Sequence, residues 1–241
     1  MNILFGMCGM GSRFQQVGYD IPKYLISYHG APMIYHAVET LDIPGKIYFV
    51  VKTEHLLKYK FLEKMLLGLG HEIVLCDRNT DGAAESLMLA KPYITNMEEP
   101  MISVNCDQYM LWNSNKFVQT MKENTDVSYI LTYKENSPKC SYIRENAVGL
   151  ITEVREKQVI SNDATIGVYH WARSKYFFED AQRMISDDHR ENGEYYVAPV
   201  YNYTIANGHP VKKFEVQKTE FWPVGIPADL EYFYANNPGF D

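Results

Sequence analysis

Apolar and polar residues follow one another in blocks that predict alternating strands and helices over the first half of the chain. Four short apolar runs have the length and continuity of buried strands: residues 2–8, 46–52, 72–77 and 100–105. Three segments between them repeat apolar residues at helical spacing: residues 32–41, 53–69 and 83–94. This alternation predicts a mostly parallel sheet with helices on both faces, which binds ligands beyond the carboxyl ends of its strands.

The pattern changes after residue 107, where fewer helices separate the strands. Strands are predicted at residues 127–133, 150–157, 164–171 and 211–221, and helices at residues 175–185 and 197–207. A closing helix is predicted from Pro227, with Asp229 in its first turn. The sequence has no internal repeat, low-complexity tract or linker. We therefore expect one α/β domain over residues 1–241, with a mixed, mostly parallel sheet flanked by helices.

The composition is that of a folded protein whose ligand is small and anionic. The 241 residues are 46% hydrophobic, and the formal net charge is -7. This charge argues against a main affinity for nucleic acid or an anionic membrane, but it is compatible with a local basic cleft for a phosphorylated ligand. No apolar run approaches the length of a membrane span, and the N-terminus lacks the basic flank and cleavage site of a signal peptide. We expect a cytoplasmic protein.

Cysteine and histidine form no metal-site pattern. The four cysteines include no Cys-x-x-Cys pair and are interpreted as buried thiols, and the seven histidines show no metal-ligand spacing. We therefore expect any metal to be held by carboxylates. The sequence leaves open whether the chain forms a homo-oligomer.

The first predicted strand runs into a glycine loop, within the stretch GMCGMGSRFQQVGYDIPKYLI at residues 6–26. Gly9 and Gly11 can adopt backbone angles closed to other residues, which lets amide groups approach an anion. A phosphate cradle is one interpretation. The same letters also permit the turn of a dinucleotide-binding protein, and short glycine patterns do not separate the two.

Three charged residues near predicted strand ends carry candidate chemistry. Arg13 and Lys23 suit phosphoryl transfer, which needs fixed cations around the reacting phosphorus; exposed cations near a turn are the alternative. Asp107, in ISVNCDQYM, follows a strand where a carboxylate can hold Mg²⁺ against substrate phosphates. A turn or helix-capping aspartate is an equal alternative there.

Further along the chain the signals are weaker. Gly82, in TDGAAESLMLAKPYI, opens a helix where a flat base or a ribose can lie against the backbone, but a helix start without a ligand explains it as well. Glu156 and Lys157 end a predicted strand, and a solvated pair of charges is the simpler interpretation of them. Gly167 is compatible with a binding segment or with a turn into a strand.

Taken in order, these features resemble the sugar-phosphate nucleotidylyltransferase family, which has a GT-A-like, Rossmann-related fold and makes NDP-sugars from a nucleoside triphosphate (NTP) and a sugar 1-phosphate. The resemblance covers nearly the whole chain. It is carried by five segments: GMGSRF with PKYL, TDGAAES, NCDQ, REK before ATIGVY, and FWPVGIPADL. It implies a nucleotide-binding half over about residues 1–110 and an acceptor-binding half over about residues 111–241.

The resemblance also implies roles for single residues. Triphosphate binding is assigned to the opening loop: Gly9, Gly11, Ser12 and Arg13. Gly82 would border the base, and Asp107 would hold the Mg²⁺ cofactor. The catalytic residues would be Arg13, Lys23 and Asp107. Acceptor binding is assigned to Glu156 on the sugar hydroxyls, Lys157 on the sugar phosphate, and Gly167 along the sugar pocket.

One position departs from the family pattern. Where the family has aspartate in a Trp-x-Asp-x-Gly motif, this chain reads WPVG, which places Pro223 at the position of a metal-binding carboxylate. Proline cannot bind a metal, so Asp107 is expected to hold Mg²⁺ with triphosphate oxygens and water. Asp229 is assigned to stabilising its helix, unless the second ligand has moved. The missing carboxylate also fits a paralogue that senses nucleotide without catalysis.

Two other functions are alternatives to a sugar-phosphate nucleotidylyltransferase. The first keeps the reaction but replaces the sugar with another phosphorylated acceptor, such as phosphocholine with CTP, as in relatives of this superfamily. The second is a dinucleotide-dependent oxidoreductase, which needs an acidic residue about 20 residues after the glycines. Here the second predicted strand ends at Val51 and Lys52, which is too late for that pattern.

Overall fold

A computed structural model describes residues 1–9 and 11–237; residues 10 and 238–241 of the predicted domain lie outside the described residues. The strands are β1 (Asn2–Met7), β2 (Ser27–Tyr28), β3 (Ala31–Pro32), β4 (Lys46–Lys52), β5 (Glu72–Cys76), β6 (Met101–Val104), β7 (Gln108–Met110), β8 (Ser128–Lys134), β9 (Ser141–Glu145), β10 (Ile151–Glu156), β11 (Asp163–Trp171), β12 (Val211–Glu215) and β13 (Phe221–Pro223).

The α-helices of the described residues are α1 (Ser12–Gln15), α2 (Met33–Leu41), α3 (Thr53–Lys58), α4 (Leu62–Leu69), α5 (Ala83–Met88), α6 (Ser114–Glu123), α7 (Ser174–Ser186), α8 (Val200–Ala206) and α9 (Pro227–Asn236). Short 3₁₀ turns lie at Lys23–Leu25, Lys91–Tyr93 and Lys218–Glu220. None of the helices described is long and apolar enough to cross a bilayer.

One mixed sheet organises the chain. Strands β5, β4, β1 and β6 lie side by side and are parallel. The long strand β11 then pairs antiparallel with β6, and it continues the sheet in two directions, to β8 with β12 and to β9 with β10. The change from parallel to antiparallel pairing at β11 confirms the predicted α/β class with a mixed sheet.

Alternate residues of the central strands enter two different cores. Phe5 and Phe49 belong to a core covered by α2, α4 and α6, whereas Leu4 and Val50 belong to a core covered by α5, α7 and α8. Successive side chains of a strand point to opposite faces, so a sheet with helices on both sides needs apolar residues at consecutive positions. This confirms the helices predicted to flank the sheet.

Several predicted elements have other boundaries. The single helix predicted over residues 53–69 is wrong, because Tyr59 is not helical and separates α3 from α4. The apolar spacing continues through this break at residues that stay exposed, Leu57 and Phe61. The helix predicted over residues 83–94 ends at Met88, and Pro92, which has no backbone N–H to donate, lies in the 3₁₀ turn that follows.

The strand predicted over residues 211–221 is two strands in two sheets. β12 pairs with β8, then the chain turns through Lys218–Glu220, where Gln217 and Glu220 form a capping box, and β13 pairs with β7. β9 was not predicted, because its polar sequence SYIRE gives little apolar signal. The β13–β7 pairing matters for the site, since it brings the segment around Pro223 beside Asp107.

Candidate active site

A cavity of about 890 Å³ opens beyond the carboxyl ends of β1 and β6. Five of the residues predicted for the site line it: Arg13, Lys23, Asp107, Glu156 and Gly167. The other predicted residues are not among its lining residues: Gly9, Ser12, Gly11, Gly82 and Lys157. The cavity therefore unites the predicted phosphate-binding cations, the metal-binding carboxylate and part of the predicted acceptor site.

The central contact of this cavity joins Lys23 and Asp107. Lys23 Nζ donates to Asp107 Oδ2 at 2.6 Å, and the two side chains are 26% and 18% exposed. Burial opposes the charge on Lys23, but the neighbouring Asp107 carboxylate outweighs burial and raises the pKa of the ammonium. Lys23 is therefore a fixed cation that stays charged at neutral pH.

The glycine loop packs directly on Lys23. Gly11 has a left-handed backbone (φ 63°), and a Cβ added to it would lie 3.2 Å from Lys23 Cβ. A side chain at residue 11 would be strained by this backbone and crowded by Lys23. Gly11 is followed at once by α1, whose second residue, Arg13, is exposed at the cavity. The loop thus sets the spacing between the two cations.

Glu156 ends β10 as a buried carboxylate, only 6% exposed. It accepts a hydrogen bond from the Ser141 hydroxyl. Burial raises the pKa of Glu156, while the Ser141 hydrogen bond acts in the opposite direction. The interpretation of residues 156 and 157 as a solvated charge pair is therefore wrong for Glu156.

Lys157 is not among the residues that line the cavity. Its backbone is left-handed (φ 54°), and its Nζ lies 2.5 Å from the Tyr196 hydroxyl and 3.9 Å from Glu156 Oε1. Tyr196 itself lines the cavity. Because the ammonium has three N–H donors, it can bind an acceptor phosphate beside the Tyr196 hydroxyl or in place of it.

Two glycines predicted to contact ligands are needed first by the fold. A Cβ on Gly82 would collide with the backbone of Tyr195, and a Cβ on Gly167 would collide with the side chain of Asn105. The Gly167 carbonyl oxygen also accepts a hydrogen bond from the Asn105 backbone N–H at 2.9 Å. Gly82 is thus explained by packing, and Gly167 makes room for Asn105, whose side chain lines the cavity.

The lining residues that were not assigned to the site from the sequence include three polar ones next to or facing Asp107 in the chain and fold: Asn105, Gln108 and Asp229. Gln108 is 2% exposed, and within the described residues its Oε1 has no hydrogen-bond partner. Asn105 and Gln108 flank Asp107 in NCDQ, so polar residues on both sides of a strand-end aspartate were the signal that could have found them. Asp229 had no such signal, because its place in a helix's first turn explained it.

The segment from Pro223 to Asp229 lies against Asp107. Val224 N donates to Asp107 O at 3.0 Å, and a Cβ on Gly225 would collide with the Asp107 carboxylate. Partial burial raises the pKa of Asp229, the Asp107 charge acts in the same direction, and nearby cations act against it. Asp229 and Asp107 therefore belong to one electrostatic environment.

The donors fit a hard divalent cation such as Mg²⁺. Within the described residues, no three His, Cys, Asp or Glu side chains form a complete metal site. Mg²⁺ does not need one, because it binds through one or two carboxylates and takes its other ligands from phosphates and water. Asp107 and Asp229 offer carboxylate oxygens, and Gln108 Oε1 is a buried carbonyl oxygen without a partner.

Comparisons with known proteins find related sequences over most of the chain. A family model described as "Nucleotidyl transferase" matches residues 3–229. The chain is 25% identical over 179 residues to a probable mannose-1-phosphate guanylyltransferase 3 of Oryza sativa subsp. japonica, covering 70% of this chain and 49% of that protein. The chain spans about half the length of the curated relatives it matches.

Two solved structures share the fold. The nucleoside-diphosphate-sugar pyrophosphorylase from Vibrio cholerae RC9 superposes with a TM-score of 0.82 at 24% identity, covering 97% of this chain and 99% of its own. The inositol-1-phosphate CTP transferase from T. maritima superposes with a TM-score of 0.76 at 18% identity, covering 99% of this chain and 95% of its own. Both superpositions extend over almost the whole chain.

Proposed function

Because this chain belongs to the nucleotidyl transferase family, we propose that it is an enzyme that joins an NTP to a sugar 1-phosphate, giving an NDP-sugar and pyrophosphate. The observation that carries the proposal is the shared cavity, in which Arg13 and the Lys23–Asp107 pair face Glu156. Cations for phosphates and a buried carboxylate for hydroxyl groups thus line the same space.

In the proposed reaction, a phosphate oxygen of the acceptor attacks the α-phosphorus of the NTP in line with the bond to the β-phosphate. The bond from the acceptor oxygen to the α-phosphorus forms as the bond to pyrophosphate breaks. Such transfer is catalysed by positioning and by fixed charges that stabilise negative charge in the transition state. Lys23 lies at the reacting phosphates, and Arg13 stabilises the pyrophosphate as it leaves.

Asp107 is the proposed anchor for Mg²⁺, which when bound neutralises phosphate charge and orients the oxygens of the NTP. The backbone amides of Gly9, Gly11 and Ser12 would bind the triphosphate together with Arg13, and Gly82 would border the base. The Lys23 ammonium, 2.6 Å from Asp107 Oδ2, holds this carboxylate in place before any substrate arrives.

The acceptor would lie at the other end of the cavity. Glu156 would accept hydrogen bonds from sugar hydroxyls, and the backbone at Gly167 would line the sugar pocket together with the Asn105 side chain. Lys157 would bind the acceptor's phosphate beside the Tyr196 hydroxyl or in place of it.

A different phosphorylated acceptor is the second candidate. The T. maritima neighbour acts, by its name, on inositol 1-phosphate with CTP, and it shares the fold over 99% of this chain. A cyclitol and a sugar present similar hydroxyl groups to a carboxylate such as Glu156. Phosphocholine would instead present its quaternary ammonium to Glu156, a cation that carboxylates and aromatic rings bind.

Release of pyrophosphate tests this proposal and selects among the acceptors. Each NTP is paired with sugar 1-phosphates, inositol 1-phosphate and phosphocholine, and a coupled assay measures pyrophosphate. Asp107→Asn serves as the control for contaminating activity. For at least one pair of NTP and acceptor, we expect pyrophosphate release that requires both substrates. Nucleotide binding without release for any pair would favour the sensing paralogue instead.

A further inference from the structure

The family pattern places a metal-binding carboxylate at residue 223, where this chain has a proline that cannot bind a metal. Pro223 is exposed on β13, opposite Gln108 of β7. Just beyond it, Gly225 packs on the Asp107 carboxylate so closely that no side chain fits between them. The backbone of this segment therefore still contacts Asp107, the proposed metal ligand, although the carboxylate that the family has at residue 223 is absent.

Asp229 lies four residues after Gly225 in the chain. It lies in the first turn of α9, where its amide donates to Ile226 O at 3.1 Å, and its side chain lines the same cavity as Asp107. Within the described ranges, the structure gives the Asp229 carboxylate no hydrogen bond and no ion pair. A helix of ten residues would be stabilised by this acid at its start, but that role does not require the cavity.

A second, independent group at the same place also lacks a partner. Gln108 is 2% exposed and lines the cavity, and its Oε1 accepts no hydrogen bond from any described residue, while its Nε2 contacts only Met110 Sδ at 3.6 Å. Buried carbonyl oxygens without a donor are costly, so such a group is expected to have a ligand or a water. A cation or a metal-bound water next to Asp107 would satisfy it.

We propose that Asp229 is the second carboxylate of the metal site and replaces the ligand missing at Pro223, with the Gln108 amide oxygen on the same side of the site. The proposal rests on the proposed function, because it assigns a ligand to the metal of that reaction. Asp107 keeps one oxygen for the metal while Oδ2 accepts from Lys23. Two carboxylates and two cations, Arg13 and Lys23, leave the protein part of the site near neutral before the substrates bind.

Binding of Mn²⁺ to the free protein tests this assignment without relying on turnover. Water-proton relaxation or the EPR signal of free Mn²⁺ gives the affinity of the wild type, Asp229→Asn and the control Glu231→Gln. Glu231 is an exposed acid of the same helix, so Glu231→Gln removes one negative charge from that helix, as Asp229→Asn does. We expect Asp229→Asn to weaken Mn²⁺ binding about tenfold or more, since even residues behind metal ligands are worth that much, and Glu231→Gln to change nothing.

A double variant separates ligand loss from damage to the helix. In the Asp229→Asn background, Pro223→Asp should restore Mn²⁺ binding, because it returns a carboxylate to the family position beside Gln108. Wild-type affinity in Asp229→Asn, or a wild type that binds no Mn²⁺, would overturn the assignment. Turnover of NTP by the wild type is measured separately. If it occurs while Asp229→Asn binds normally, only this inference fails; if Mn²⁺ binding depends on Asp229 but no NTP reacts, only the proposed function fails.

Discussion

Lys23 and Asp107, the best-defined contact of the site, are separated by 84 residues in the chain. Asp107 was recognisable from the sequence because it follows a predicted strand, and Lys23 because it follows Pro22 in the same stretch as the glycine loop. Their direct hydrogen bond was not, because distance between side chains depends on how the glycine loop packs on Lys23. Buried Glu156 was mistaken for a candidate surface charge for the same reason: Ser141, its partner, lies on a strand that the sequence did not reveal.

Arg13 and Lys23, the two cavity cations that were assigned to the phosphates, give the first prediction. Arg13→Ala and Lys23→Ala should each lower kcat by about 100-fold or more, as expected when one group that stabilises the transition state is removed. Arg155→Ala, which removes a cation from outside the cavity, is the matched control and should leave kcat unchanged. Steady-state rates and thermal unfolding of the three variants make the test. Unchanged rates in both cavity variants would refute the phosphate-binding role.

Glu156 gives a second prediction, in which stability and binding move in opposite directions. Burial raises the pKa of Glu156 in the folded state above the usual glutamate value of 4.5, so its contribution to stability is present in acid and is lost as the pH rises through the folded pKa. Glu156→Gln should therefore be more stable than the wild type at neutral pH, with the difference shrinking as the pH falls towards 4.5. The KM of the acceptor should rise roughly tenfold or more, from loss of a charged hydrogen bond.

Glu153 lies on the same strand as Glu156 and is the control, because its pKa is shifted in the opposite direction. Its hydrogen bond from Arg155 lowers its pKa, so it stabilises the fold at neutral pH and loses that effect as the pH falls. Glu153→Gln should lower stability at neutral pH and leave the KM of the acceptor unchanged. Denaturant unfolding across the acid range, with acceptor titrations at neutral pH, measures both variants. Equal KM values in Glu156→Gln and the wild type would remove Glu156 from the acceptor site.

At the scale of elements, the sequence predicted which segments form the sheet better than where the segments end. The parallel strands were readable because both faces are buried and their apolar runs are continuous. Helix ends were misjudged where apolar spacing continued past a break, as at Tyr59 between α3 and α4. The split between β12 and β13 was missed because a capping box, not a proline or glycine, turns the chain.

The start of α5 gives a prediction about an element. Gly82 has φ 148° and ψ 173°, a region open essentially to glycine alone, and its missing side chain lets the Tyr195 backbone approach. Gly82→Ala should lower the free energy of unfolding by about 1–3 kcal/mol from backbone strain, with more from the collision. Gly149→Ala is the control, because Gly149 also has a positive φ (75°) but nothing lies near its added Cβ. Similar losses in both variants would contradict the close packing of Gly82 on Tyr195.

At the scale of the whole molecule, the two halves of the chain contribute to one cavity. The N-terminal half supplies Lys23 and Asp107, and the C-terminal half supplies Glu156 and Asp229. The cavity lining has four cationic and four acidic residues, so it is locally less negative than a protein with a formal net charge of -7. The order of motifs along the sequence predicted this union, because strands that end at one edge of a sheet bring distant residues together.

The transfer of the nucleotidyl group itself tests the central claim most directly. An NTP labelled with ³²P at either the α- or the γ-phosphate is incubated with the acceptor that gives most pyrophosphate, and the products are separated by chromatography. We expect the α-label in the nucleotide–acceptor product and the γ-label in pyrophosphate, and neither labelled product with Asp107→Asn. Transfer of the γ-label to the acceptor, or its release as inorganic phosphate while the α-label stays in a nucleoside diphosphate, would refute attack at the α-phosphorus.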